Sequence, residues 1–206
     1  MNPAPDRYQP NPAELLELVT GAPLAWIVSA GSDPCVTPLP LRPRVDAEGR
    51  LTALAGHFPG SSPHLAVLRA QPRVLMLFTG PQAYISPSWM SERTWAPTWH
   101  SATAAFAVDI AFDDDPAALR ETLADLIDAQ EAGRPKAWRL EEAGERYARL
   151  APHIHAFRGE IRETRAAFRL GQDEGPAEFA QILTGLRGEG REDMAGLMER
   201  FARTRR

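Results

Sequence analysis

A chain of 206 residues with 44% hydrophobic and 24% charged side chains can bury one sizeable core and has the make-up of a globular rather than a disordered protein. Its formal charge of −4, from 23 Lys+Arg against 27 Asp+Glu, disfavours non-specific nucleic-acid binding, and its single cysteine, Cys35, rules out an intrachain disulfide or a thiolate metal cluster. The longest apolar runs, "VLMLF" and "ATAAFAV", fall far short of the ~20 residues of a membrane span, and "MNPAPDRYQP" has no charged-then-apolar leader pattern, so a cytoplasmic protein is expected.

In chain order, residues 12–19, "PAELLELV", put a proline at a first helical position before apolar residues at helical spacing, which predicts a short amphipathic helix. Strand-like runs follow at 23–30, 35–45 and 50–57, the last two joined by the turn signal "DAEG". Pro38, Pro40 and Pro43 remove ladder donors, which places the second run at a sheet edge or open to a ligand groove. "FPGSSPHLAVLRAQP" predicts a loop leading into a helix, with Ser61 or Ser62 as N-cap and Pro63 as first helical residue. "RVLMLFTG" (73–80) is a buried strand, with "QAYIS" (82–86) as its partner after a turn at Gly80 and Pro81.

A long loop, 87–99, then leads to a strand at 101–112 that ends in "DDDP". Acidic residues before Pro116 mark a helix start, and Leu119, Leu123, Leu126 and Ile127 carry that helix to Ala132, with Gly133 as its stop. A further helix is expected at 140–150, a long strand or strand pair at 153–170, and helical segments from Pro176 to Arg203 broken at Gly188 and Gly190. Arg200, Arg203, Arg205 and Arg206 gather at the end, as a basic helix terminus would. Six or more strands, one crossover helix and late helices predict an α+β, mainly β fold: a small barrel with helical additions. We expect one domain over 1–206, its core at about 8–170, with a C-terminal helical extension at about 174–206.

Among the histidines, His153 and His155 form an H-x-H pair, but nothing convincing completes a metal site. His57 is the stronger candidate, since with Ser61, Ser62 and His64 it can form a pocket of phosphate donors at a helix start. Serine-hydrolase, zinc-protease and phosphate-loop motifs are absent, and Ser86 and Ser88 in "ISPSW" suit a turn better than a nucleophile. No catalytic or metal-ligating residue is assigned. Tyr84, Trp89, Trp95 and Trp99, on a proline-stiffened stretch, suit a wall for an aromatic cofactor, an anchor for a partner subunit, or a cover for one barrel end.

That stretch, "GPQAYISPSWMSERTWAPTWHSATAAF", closely resembles the signature of the PaiB-type FMN-binding negative transcriptional regulators, in which G-P-x-x-Y-I-S-P-S-W precedes P-T-W and a strand. "CVTPLPL", the "GH" at Gly56 and His57, and "RAAFRLGQD" resemble further family segments in the same order, over about residues 8–187. The resemblance implies a six-stranded FMN-binding split β-barrel of Greek-key type with C-terminal helices, working as a homodimer with FMN at the subunit interface. It also implies Thr37, Pro38, Leu39 and Pro40 along the flavin ring and His57, Ser61 and Ser62 near the phosphate. Tyr84, Ser86, Trp89 and Trp99 would come from the aromatic segment, and Gln172 from the closing strand.

Departures from the pattern are equally specific. Where the family has H-x-A-R-x-N-P, this chain has "HFPGSSPHL", without the arginine and asparagine that suit a phosphate. His100 and Ser101 replace Asn-Tyr, and Gly171 and Asp173 replace Ser and Asn. Fold and dimer are therefore expected to persist while FMN affinity is weakened, altered or lost. Direct DNA contact has no support from charge or from a helix-turn-helix pattern. The alternatives are a flavin-dependent oxidoreductase resembling pyridoxamine-phosphate oxidases or flavin reductases, with His57 or His100 as its base, and a cofactor-free dimeric interaction module.

Overall fold

The structure, a computed structural model, describes residues 4–31 and 34–203; Arg205 and Arg206 of the C-terminal basic cluster lie outside them. Seven strands are formed: β1 (Leu24–Ser29), β2 (Cys35–Pro40), β3 (Arg42–Val45), β4 (Leu51–Pro59), β5 (Arg73–Ile85), β6 (Thr98–Asp113) and β7 (Ile154–Arg169). The helices are α1 (Pro12–Gly21), α2 (Pro63–Ala70), α3 (Pro116–Glu131), α4 (Glu145–Leu150), α5 (Pro176–Gly188) and α6 (Glu192–Arg203). No helix among the described residues is long and apolar enough to cross a membrane.

The sheet has seven strands where the family barrel is expected to have six, and two of the predicted strand boundaries are redrawn. The run 35–45 is two strands, because at Leu41 the chain leaves the ladder and its N–H donates to the Pro23 carbonyl at 2.8 Å. The runs 73–80 and 82–86 are one strand: Gly80 and Pro81 do not turn, and β5 continues through them. Residues 140–150 form a 3-10 turn, Leu140–Ala143, and then α4, and 153–170 contains one long strand.

The sheet order is β2-β1-β5-β6-β7-β4-β3. The proline-bearing strands β2 and β3 are thus its two outermost strands, where missing N–H groups cost no ladder bond. Only Leu41 separates them along the chain, and one residue spans no more than about 7 Å. The sheet therefore curls until its two edges meet at that corner without a ladder between them, which is a split barrel.

Two compact units share the three longest strands. One comprises the chain up to Leu18, Thr79–Ala104 and the chain from Arg165 onward; the other comprises Val19–Phe78 and Ala105–Thr164. In the second unit Phe58, Phe112 and Phe157 pack ring against ring, at centroid distances of 5.4–6.2 Å. Gly56 is required there, since a Cβ would sit 2.7 Å from Leu41 Cδ2 and 3.1 Å from Phe157 Cζ. α3 begins as its acidic start predicts, with the Asp115 side chain accepting from Ala117 N–H at 2.9 Å. Its Leu119 and Leu123 pack with Leu140 and Ala156, and its Asp125 clamps Arg42 and Arg44 of β3 at 3.3 and 2.5 Å.

In the first unit α1 opens with a capping box. Asn11 accepts from the Glu14 N–H at 2.9 Å, and Glu14 accepts from the Asn11 N–H at 2.8 Å. α5 and α6 dock on this unit: Phe201 lies 5.8 Å from Phe168 between ring centroids, Arg200 pairs with Glu17 at 2.7 Å, and Arg191 donates to the Gln82 carbonyl.

Candidate functional site

The residues assigned to FMN are divided between the units. In the second, β2 is an edge strand whose register pairs Val36, Pro38 and Pro40 with Val28, Trp26 and Leu24. Prolines cannot donate, so these must be the non-hydrogen-bonded pairs, whose polar groups face away from β1. Along Thr37–Pro40 the outward edge of β2 therefore offers carbonyl acceptors from Pro38 and Pro40. The Thr37 hydroxyl turns inward instead, 2.8 Å from His64 Nδ1, while His64 Nε2 meets Ser29 Oγ at 3.0 Å. With both nitrogens engaged and its ring buried, His64 is a structural pin between α2 and the sheet and is withdrawn from the phosphate-donor set expected of it. Burial also lowers its pKa.

His57, on β4, differs. Its Nδ1 is buried and has no hydrogen-bond partner among the described residues, and burial lowers its pKa. Ser62 is the N-cap of α2 with Pro63 first in the helix, yet its side chain makes no capping bond, and Ser61 beside it is exposed. The donor set is thus two hydroxyls and a helix start, with no arginine or lysine between Gly56 and Leu65. Neutral donors of this kind fit a phosphate, without the charge-assisted fork an arginine would add.

In the first unit the three tryptophans of the proline-rich stretch take separate tasks. Trp99 is 58% exposed on β6 and meets Tyr84, 46% exposed on β5, in a T-shaped pair with centroids 6.1 Å apart. Together they form an exposed aromatic patch suited to an aromatic guest or a partner chain. Trp95 donates its indole N–H to Glu174 at 3.3 Å. Trp89, on the 3-10 turn Pro87–Trp89, lies half-buried against α5 so closely that a Cβ at Gly185 would overlap its indole. Gly185→Val is accordingly expected to destabilise the protein by about 1–3 kcal/mol despite improving on glycine locally, seen as a lowered thermal midpoint; an unchanged midpoint would show the indole free to move aside.

Ser86 accepts the Ser88 N–H at 3.2 Å and caps the turn, as its Ser-Pro setting suggests. Gln172 is a local brace: it accepts from the Leu170 N–H at 2.7 Å and donates to the Phe168 carbonyl, around Gly171 at φ +79°. His153 closes a 3-10 turn while His155 is the second residue of β7, with Nδ1 3.4 Å from Asp114, so the H-x-H pair does not lie on one strand face.

His100 carries the second unpartnered buried Nδ1 among the described residues. Burial, reinforced by Arg169 and opposed by Asp173, pulls its pKa to about 4, so it is neutral at pH 7. The two histidines singled out in the sequence are therefore the two left without bonds at that atom.

Residues 2–163 match the family described as "Putative FMN-binding domain". The chain belongs to this FMN-binding family. FMN is the family's cofactor, and the neutral donors at the start of α2 and the acceptor edge of β2 fit its phosphate and ring. Protease synthase and sporulation protein PAI 2 of Bacillus subtilis (strain 168) is 28% identical over 160 residues, 71% of this chain and 72% of the relative. Among solved structures, the conserved hypothetical protein Rv2991 from Mycobacterium tuberculosis aligns with a TM-score of 0.61 at 15% identity, covering 84% of this chain and 92% of that one. The FAD and heme binding protein from Mycobacterium smegmatis aligns with a TM-score of 0.56 at 16% identity, covering 85% and 80%. Identities this low show the shared fold.

Proposed function

We propose that the protein is a homodimeric FMN-binding regulator of the PaiB type, acting negatively on transcription and sensing its signal through the bound flavin. The observation that carries the dimer is one sheet face of the second unit. Leu24 (60% exposed), Trp26 (49%), Val36 and Leu75 stand in the open on β1, β2 and β5, while Ala25, Ile27 and Met76 on the opposite face are buried. A strand apolar on both faces is built to be covered on both, and an aromatic anchor amid aliphatic residues is how a subunit interface is organised. Trp26→Asp is expected to turn a dimer into a monomer in sedimentation experiments. A wild-type monomer at ~100 μM would remove this part of the reading.

On this reading the flavin ring lies along Thr37–Pro40, whose carbonyls accept from its single ring N–H, and the phosphate sits with Ser61, Ser62 and His57. When bound, FMN supplies one- or two-electron redox chemistry; the residues here bind and orient it. The support for a regulatory role is the resemblance of the signature segment and the relative's name, which speaks of protease synthesis and sporulation.

Absorbance and flavin fluorescence on addition of FMN test the first half. The absence of arginine at the phosphate sets the expectation at micromolar rather than nanomolar affinity, and Ser62→Ala should weaken binding by about 1 kcal/mol, several-fold. No binding at ~100 μM FMN would leave the cofactor-free dimeric module. The unpartnered nitrogens of His57 and His100 favour a second reading, a flavin oxidoreductase with one of them as base; turnover of NADH by the FMN-loaded protein would select it over the regulator.

A further inference from the structure

The first unit holds a cavity of about 320 Å³ whose walls include Tyr8, Trp95, His100, Arg169, Asp173 and Glu174. None of the residues assigned to FMN lines it. His100 forms part of its wall: the residue is 4% exposed, its Nδ1 is sealed off, and neither ring nitrogen has a hydrogen-bond partner among the described residues. A polar ring so deeply buried and so unsatisfied is exceptional in a folded chain.

Around it the cavity carries both signs of charge in an ordered arrangement. The Asp173 carboxylate accepts from Tyr8 Oη at 2.7 Å, which spends one of its lone pairs; burial alone would raise its pKa, but this bond, its own backbone N–H and the nearby Arg7 and Arg169 outweigh it and leave the pKa lowered. Glu174 accepts the Trp95 indole N–H at 3.3 Å. Arg169 lies over the Tyr8 ring with Cζ 5.4 Å from the centroid. It forms no ion pair among the described residues.

We infer that this cavity binds a small zwitterion carrying a protonated primary amine and a carboxylate, an α-amino acid being the compact example. The ammonium group has three N–H donors, and the cavity supplies three acceptors: the remaining oxygens of Asp173 and Glu174 and, with the ring proton on the sealed Nδ1, the Nε2 lone pair of neutral His100. The carboxylate takes the Arg169 fork. Trp95 and Pro97 provide an apolar wall for a side chain. A phosphate or other dianion would meet the carboxylates of Asp173 and Glu174, and an apolar guest would leave His100 Nε2 as unpaired as before.

The test is calorimetric titration of the full-length protein with each of the common α-amino acids. At least one is expected to bind with a dissociation constant below about 1 mM. Arg169→Gln and Asp173→Asn, each checked for folding by circular dichroism, should weaken it about tenfold or more, as should removal of the ligand's carboxylate. Arg169 is exposed, so its variant retains the fold even if Asp173→Asn does not. Saturating FMN should leave the constant unchanged. Failure of every amino acid to bind at about 10 mM, an affinity unmoved by Arg169→Gln, or competition by FMN would each overturn the assignment. The last result would give the cavity to the flavin and leave the FMN reading standing.

Discussion

Acidification from pH 6.5 to 4 is expected to lower the unfolding free energy by about 3 kcal/mol through His100 alone. The sign follows from the direction of the shift. Burial holds the folded-state pKa near 4 against an ordinary 6.5, so below pH 6.5 the unfolded chain takes up a proton that the native one refuses. Stability is therefore intact above pH 6.5 and drains away as the pH falls towards 4. His57 and His64, whose pKa values burial also lowers, add to the loss in the same window. The depressed carboxylates, Asp46, Asp109, Asp125, Asp173 and Asp193, act in a separate one, because their contribution fades only as the pH drops through and below the ordinary 3.8. Denaturant titrations at several pH values should show His100→Leu no less stable than wild type at pH 7 and distinctly more stable at pH 4.5. Parallel pH profiles for the two proteins would place the acid sensitivity elsewhere.

Phe58→Ala should cost about 3–5 kcal/mol, a large part of the stability of a domain this size. Phe58 is fully buried and touches Phe112, Phe157 and His64, so truncation opens a hole on which three rings must converge. It also removes the edge-on contact, 5.8 Å between centroids, that helps hold His64 between Ser29 and Thr37. The loss should appear as a reduced denaturation midpoint. Phe58→Leu, which keeps most of the volume, should cost less than half as much; equal losses from both variants would show that ring packing, not volume, is what the site demands.

Much of this was legible without coordinates, where the signal is local. Pro12 and Pro63 at helix starts, Asp115 before Pro116, and Gly190 after α5 mark ends whose cause is an unpaired N–H or a positive φ within a few residues. The alternation in β6 and β7 likewise needs only the two faces of one strand. Two strand boundaries were not legible, for a shared reason. Gly80-Pro81 has the composition of a turn, but it lies inside β5, where Gly80 lets Leu18 and Ala102 approach the backbone. Nothing nearby in "LPLRP" reveals that Leu41 turns from one edge of the sheet to the other.

The site divides along the same line. Composition and spacing were enough to nominate His57, His100 and the tryptophans, because rare residues on a proline-stiffened segment stand out one at a time. Which nitrogens go unpaired is a property of three-dimensional neighbourhoods. His64 looked equal to His57 and proves to be fully engaged by residues 27 and 35 positions away. Trp89, Trp95 and Trp99 looked alike and are sorted by Gly185, Glu174 and Tyr84, each distant from its tryptophan in the chain or across a strand pair. The sequence by itself determined where chain elements begin and end and which family segments are present, because those depend on backbone chemistry a few residues long. Only the tertiary structure decided which polar atoms are left for a ligand, because a hydrogen bond is satisfied by whatever the fold brings within 3 Å, and no local pattern encodes that.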